Sequence, residues 1–290
     1  MSRPFLTKRR LVILAALAFV VALSLSWVFG SVVTGRSAVP PSPLPAGAQA
    51  VSLRSADGIT LAGNFWPGKD DHAPAILMLH GLGSSRAQFD GDGAALAKKG
   101  YAVLAINFRA HGDSGGDLRS FGLFEARDAQ AGFAWLKGHQ HQAKVGIVGM
   151  SLGGAAALLG PKGPVKCDAL VLAVVYPDIH HAIRNRVASK IGGFLGAVGE
   201  LVLSYQAPLR YGVWPDAISP VTAIRELHAP VLVIGGEADV YTPPAETRML
   251  FNAAPGPKQL WIVPKAGHNG ATKHPEFLPR VAAFFDKALR

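Results

Sequence analysis

A glycine-flanked serine, an aspartate and a histidine follow one another along the second half of this 290-residue chain, a set of side chains able to activate a hydroxyl for attack. The serine lies in Gly149-Met150-Ser151-Leu152-Gly153, between the apolar run Val145-Gly146-Ile147-Val148 and the helix-forming run Ala155-Ala156-Ala157-Leu158-Leu159. Strand, tight Gly-x-Ser-x-Gly turn and helix together make a nucleophile elbow, in which Gly149 and Gly153 keep side chains away from the crossing. The hydroxyl is pushed out at a helix head, where the dipole and free N–H groups favour negative charge. The bland alternative is an incidental glycine-rich turn.

A serine hydroxyl is a poor nucleophile until a base takes its proton. An imidazole does this when a carboxylate fixes its tautomer and stabilises its charged form. Asp239 follows the apolar run Val231-Leu232-Val233-Ile234 through Gly235-Gly236-Glu237-Ala238. His268 comes after a run ending at Val263, in Lys265-Ala266-Gly267-His268-Asn269, and stands out among ten histidines by that position. Both sit at strand carboxyl ends, where open parallel sheets place their sites. The rival acid is Asp178, in Val174-Val175-Tyr176-Pro177-Asp178; Glu237 and Asp216 stand behind it. A tetrahedral intermediate also needs donors for its oxyanion. The backbone N–H of Leu152 is one candidate. The N–H of Leu82, in His80-Gly81-Leu82-Gly83, is the other, with Gly81 and Gly83 letting that backbone turn inward.

The elements that must position these groups alternate along the chain. Val51-Ser52-Leu53 and residues 60–65 flank Asp57-Gly58 and read as an antiparallel hairpin. Apolar strands are expected at 75–79, 101–106, 145–148, 169–175, 230–234 and 259–263, with helices around 94–97, 125–136 and 279–289 between or after them. Fully apolar strands separated by helices imply a mostly parallel sheet covered on both faces. About forty residues, 178–217, carry no strand signal. Phe194, Leu195, Val198, Leu201 and Val202 have helical spacing there, interleaved with glycines. The stretch is expected to be a helical cap over the site. It either packs on the main domain or lines a mobile acyl-chain pocket, since glycine-rich helices are loosely held.

The amino terminus adds a second kind of element. Lys8-Arg9-Arg10 precedes an apolar stretch over 11–29, and no charge recurs before Arg36. As a helix this stretch is about 28 Å long, close to the hydrocarbon thickness of a bilayer. It exceeds the usual core of a cleavable signal, and the nearest small-x-small sites, Ala46-Gly47-Ala48 and Ala48-Gln49-Ala50, lie beyond a proline-rich stretch. The expected organisation is a basic tip and signal anchor over 1–36, a tether over 37–49 that lifts the domain off the membrane, and a catalytic domain over 50–290. The basic cluster keeps the amino terminus cytoplasmic and puts the domain on the other side. A cleaved signal would make it secreted or periplasmic.

The formal net charge of +10 suggests a nucleic-acid binder until it is located. Five of the 29 basic residues, and none of the 19 acidic ones, fall in the first fifty positions. The remaining excess is scattered, so no nucleic-acid partner is expected. The single cysteine, Cys167, excludes an intramolecular disulfide and reads as an inert, half-buried thiol.

From about residue 50 onward the chain resembles a serine hydrolase of the α/β-hydrolase superfamily. His80-Gly81-Leu82-Gly83 is similar to its oxyanion loop, Gly149 to Gly153 to its elbow, Gly235 to Asp239 with Thr242-Pro243 to its acid loop, and Gly267-His268 to its histidine loop. Asn107-Phe108-Arg109-Ala110-His111-Gly112-Asp113-Ser114 resembles the arginine-glycine loop, departing from it at Asn107 and Ala110. The short cap looks most like the monoacylglycerol-lipase and serine-aminopeptidase-like branch. The resemblance implies an α/β-hydrolase fold and an acyl-enzyme mechanism needing no metal or organic cofactor. It points to small-molecule or lipid esters as substrates, with thioester or peptide cleavage by the same triad as the alternative. A non-catalytic ligand-binding protein of the same fold is the rival from a different class.

Overall fold

The computed structural model describes residues 8–290; residues 1–7, the start of the expected basic tip, lie outside the described residues. Eight strands form one sheet: β1 (Gln49–Arg54), β2 (Thr60–Trp66), β3 (Ala75–Leu79), β4 (Ala102–Ile106), β5 (Val145–Met150), β6 (Ala169–Ala173), β7 (Val231–Gly236) and β8 (Lys258–Val263). Their order across the sheet is β1-β2-β4-β3-β5-β6-β7-β8. The β1–β2 and β2–β4 pairs are antiparallel and the rest parallel. The order turns around at β3, so β3 and β5 lie side by side and their carboxyl ends open onto one crevice.

Strands β3, β4, β5 and β6 are buried along their whole length, as continuous apolar runs require. Alternate residues feed two cores. On one face Leu77, Leu104, Ile147 and Leu172 meet Ala129, Phe133 and Leu136 of α3 (Glu125–His139) and the alanines of α4 (Leu152–Leu158). On the other, Ile76, Val103, Val148 and Val171 meet Leu96 of α2 (Asp90–Lys98) and Phe277, Val281 and Phe285 of α11 (Phe277–Leu289). The short α8 (Pro220–Ala223), α9 (Pro244–Ala253) and short α10 (Gly270–Lys273) complete the layers. Cys167 is buried, and desolvation pushes its thiol up to about 12, so it is inert at neutral pH.

Between β6 and β7 the chain makes α5 (Ile179–Ile191), α6 (Gly193–Ser204) and α7 (Ala207–Tyr211). Two glycines of α6 serve close approach: a Cβ on Gly196 would lie 2.7 Å from the Ala188 Cβ and one on Gly199 3.0 Å from Val187 Cγ1, so α6 sits hard against α5, whereas Gly193 has nothing within 4 Å. The outer face of α6 leaves Phe194, Leu195, Val198 and Leu201 exposed.

The first helix, α1 (Lys8–Thr34), is long and apolar enough to cross a membrane, and its most apolar window is wholly exposed. Its last turns are not free. Gly30 and Thr34 are buried against the domain, and the Thr34 carbonyl accepts from the Arg119 N–H at 2.7 Å. Arg36 then donates to the carbonyls of Gly112 (2.7 Å), Ser114 (2.8 Å) and Gly116 (2.8 Å). Ser37 N–H donates to Ala110 O, and the Ser42 and Ser85 hydroxyls are 3.2 Å apart. Instead of standing off as a spacer, the start of the proline-rich stretch is held to the domain surface, because a guanidinium inside a ring of unpaired loop carbonyls is a strong local tie.

Candidate active site

Ser151 is the first residue after β5 and immediately precedes α4. Its backbone sits at φ 49°, ψ −111°, a conformation costly for any side chain, of order 1–3 kcal/mol, and held only where surroundings over-determine it. The surroundings do so. A Cβ on Gly149 would come within 2.6 Å of the Gly154 backbone, and one on Gly153 within 2.6 Å of the Leu79 carbonyl carbon. Ser151 N–H is tied to Ala173 O of β6 at 2.8 Å. The side chain that results is buried, and its Oγ has no hydrogen-bond partner among the described residues.

The acid and histidine loops come together over β7 and β8. Ala238 N–H donates to Ala266 O at 2.9 Å, and Lys265 N–H donates to the Glu237 carboxylate at 2.8 Å. These bonds bring Asp239 Oδ2 to 2.8 Å from His268 Nδ1. The other carboxylate oxygen accepts the N–H groups of Tyr241 (2.8 Å) and Thr242 (3.0 Å). These three contacts fix the orientation of the Asp239 carboxylate. The Tyr241 ring stands edge-on to the imidazole at 5.5 Å.

The rival acids are engaged elsewhere. Asp178 caps α5, accepting from His181 N–H at 2.9 Å and pairing with the His181 ring at 2.8 Å. Glu237 is committed to Lys265, and Asp216 is an exposed carboxylate 3.3 Å from His180. Ser151 and His268 make no hydrogen bond to each other. They border the same cavity of about 580 Å³, with Leu82, Met150, Arg186 and Tyr241 among its other walls. Catalytic hydrogen bonds of this kind are commonly long before substrate binds.

The loop after β3 reaches the same place. A Cβ on Gly81 would lie 3.8 Å from that of Ser151. Leu82 N–H makes no hydrogen bond among the described residues, and Leu152 N–H, in the first turn of α4, has no preceding turn to donate to. Two buried histidines hold this loop. His80 Nδ1 is 2.8 Å from Gly81 O and its Nε2 accepts from Phe108 N–H at 3.1 Å. His111 Nδ1 is 2.9 Å from Arg109 O, leaving Nε2 to accept from Gly83 N–H at 3.3 Å. Both rings are neutral, since desolvation lowers His80 to about 3 and His111 to about 4. The departure at Asn107 has its own use: Oδ1 accepts Arg86 N–H at 2.7 Å and Nδ2 donates to Asp113 at 2.7 Å.

Arg186 and Tyr241 are cavity walls that sequence reasoning passed over. Arg186 lies on α5, and its guanidinium stacks 5.1 Å from the Tyr241 ring. Tyr241's place two residues beyond Asp239 was a usable signal; for Arg186 no local pattern gives one.

The chain is similar to several known proteins. The family described as X-Pro dipeptidyl-peptidase (S15 family) matches residues 57–203, and that of the PhoPQ-activated pathogenicity-related protein matches residues 194–290. An uncharacterized protein of Mycobacterium tuberculosis is 32% identical over 79% of this chain and 74% of its own length. The α/β hydrolase domain-containing protein WAV2 of Arabidopsis thaliana is 26% identical over 84% and 79%. Among solved structures, the Pyrococcus furiosus esterase Pf2001 superposes with a TM-score of 0.66 at 23% identity, covering 87% of this chain and all of its own. At that identity the likeness speaks for the fold. Taken with the strand order and the family match across half the sequence, it makes this chain a member of the α/β-hydrolase superfamily and a hydrolase of that kind.

Proposed function

We propose that the protein is a membrane-anchored serine hydrolase that cleaves carboxylic esters of acyl lipids or short-chain acids through an acyl-enzyme. Ser151 attacks the carbonyl carbon while His268 Nε2 takes the hydroxyl proton. Asp239 holds the imidazole tautomer and stabilises its positive charge. The N–H groups of Leu82 and Leu152 receive the oxyanion. His268 returns the proton to the leaving alcohol, and water then repeats the sequence to release the acid. One observation carries the reading: an unpaired hydroxyl on a strained backbone opens onto the same cavity as an imidazole fixed by a buried carboxylate. Residues 1–36 serve as the anchor, 37–49 as a surface-bound connector, and 178–217 as the cap.

The second reading is amide or peptide cleavage by the same groups, favoured by the S15 match and by 26% identity to the dipeptidyl aminopeptidase BIII of Pseudoxanthomonas mexicana. A serine-directed fluorophosphonate tests the chemistry. It should label the purified chain at Ser151 and leave Ser151→Ala unlabelled. Absence of label on a folded chain rejects an active serine. Comparing nitrophenyl esters with amino-acid nitroanilides then separates the two substrate classes.

A further inference from the structure

Taking Ser151 as the nucleophile, as above, we infer that α1 is more than an anchor: with the cap helices it forms the acyl-chain site, and a lipid chain passes into it from the bilayer. An apolar groove of about 590 Å³ runs between the last turns of α1 and helices α5 to α7. Leu25, Phe29 and Val33 form one wall; Ile183, Val187 and Val202 form the other. That volume is in the range of sites that enclose a small-molecule ligand, roughly 300–1,000 Å³.

Three features give the groove a direction. First, Gln206 and Arg210 fasten α1 to its far wall between Ser26 and Ser31. The Gln206 side chain donates to the Ser26 hydroxyl at 2.8 Å, and the Arg210 guanidinium donates to Trp27 O at 2.6 Å and covers the Trp27 ring at 3.9 Å. A Cβ on Gly30 would be 2.8 Å from that guanidinium, so glycine there lets helix and cap meet. Second, the exposed apolar part of α1 is continuous with the groove, and the exposed residues of α6 stand beside it. The bilayer that receives α1 therefore reaches the mouth. Third, the inner end is shared: Leu82 and Arg186 border both this groove and the cavity of Ser151 and His268. An apolar chain in the groove leads its carbonyl past Leu82, whose N–H is the candidate oxyanion donor. The occupant that fits is the single hydrocarbon chain of an acyl lipid. It finds apolar walls along its length, a polar cavity at its reactive end and a bilayer behind it.

The test uses the full-length chain in nanodiscs. Ser151→Ala is photolysed with a palmitic acid carrying a diazirine at mid-chain, and adducts are mapped by mass spectrometry. Adducts at Ile183 and Val187, which face the groove and not the lipid, are expected; adducts confined to residues 11–24 and Phe194 overturn the site. In the wild-type background, Val33→Trp and Val202→Trp each fill the groove from a different wall. Each should lower the ratio of kcat/KM for nitrophenyl palmitate to that for nitrophenyl butyrate by at least about tenfold, since a single methylene in an apolar pocket is worth that much. An unchanged ratio in both variants rejects the groove as the acyl site. Groove adducts in a chain that hydrolyses neither ester would keep the lipid site and reject the serine-hydrolase reading.

Discussion

His268 Nδ1 lies 2.8 Å from Asp239 Oδ2, while Asp178, the other aspartate following a strand, is bound to His181. The distinction is geometric: Asp239 is aimed by two backbone N–H groups of its own loop, and Asp178 by the first turn of α5. The expected ranking follows. Ser151→Ala or His268→Ala should lower kcat by about 10⁶-fold and Asp239→Asn by about 10⁴-fold, the pattern for groups acting as a unit. Asp178→Asn should cost less than tenfold, because asparagine caps a helix as well as aspartate does and the lost charge faces His181, away from Ser151 and His268. Ester kinetics on folded variants decide it, and a larger loss from Asp178→Asn would reassign the acid.

The elbow glycines make a prediction about folding. Gly149→Ala and Gly153→Ala put a Cβ against backbone that no rotamer change can relieve. Each should destabilise the domain by about 1–3 kcal/mol or more, the cost of overpacking. Gly138 is the control: it lies in α3 with nothing within 4 Å of a built Cβ. Gly138→Ala should be neutral or stabilise by up to about 1 kcal/mol. Urea denaturation of the three variants reads the difference, and equal midpoints would mean the crossing is looser than drawn.

Much of this was legible in the residues, for physical reasons. Strands buried on both faces must be apolar throughout, so β3 to β7 announce themselves, and a Gly-x-Ser-x-Gly between strand and helix has few other uses. The elbow's chain order calls for an acid and then a histidine after the serine, and Asp239 and His268 lie 2.8 Å apart. Contacts between α1 and the cap were not legible. A helix that is apolar all round carries no stripe to say which side meets protein, and the deciding contacts, Gln206 with Ser26 and Arg210 with Trp27, join residues 180 or more apart. Composition alone leaves open whether the glycines of α6 mean close packing or looseness; Gly196 and Gly199 are points of close approach and Gly193 is not.

The buried histidines behind the Gly81-Leu82-Gly83 loop predict a pH dependence. Folding lowers His80 to about 3 and His111 to about 4 from the usual 6.5, because burial disfavours the charged ring. The unfolded chain thus binds these protons more readily. The stability they contribute is complete above pH 6.5 and is lost as pH falls toward 4 and then 3. His111→Gln keeps an acceptor for Gly83 N–H but cannot take the proton. Between pH 6.5 and 4 the variant's stability should fall less steeply than wild type, by up to about 1.4 kcal/mol per pH unit. Parallel denaturation curves across that range would show that His111 protonates without cost.

The basic cluster Lys8-Arg9-Arg10 at the head of α1 predicts orientation. A phosphatase or fluorescent-protein reporter fused after Arg290 should report the non-cytoplasmic side. A cytoplasmic signal reverses the proposed topology.

Arg36 predicts where the folded unit begins. The domain's strands start at Gln49, which invites truncation there for soluble work. Yet Arg36 holds the carbonyls of Gly112, Ser114 and Gly116, and the same loop carries His111, which accepts from Gly83 beside the serine. Loss of Arg36 leaves three loop carbonyls to water and frees the loop whose His111 accepts from Gly83 N–H, beside the proposed oxyanion donor Leu82. Arg36 is itself exposed, so water replaces part of what is lost, and Arg36→Ala in the full-length chain should cost about 1 kcal/mol, the net scale of a hydrogen bond. A chain starting at residue 36 should outlast one starting at residue 49 in urea and react faster with a short-chain ester. Equal midpoints and rates would mean the loop holds its shape without the arginine, and that His111 alone keeps Gly83 in place.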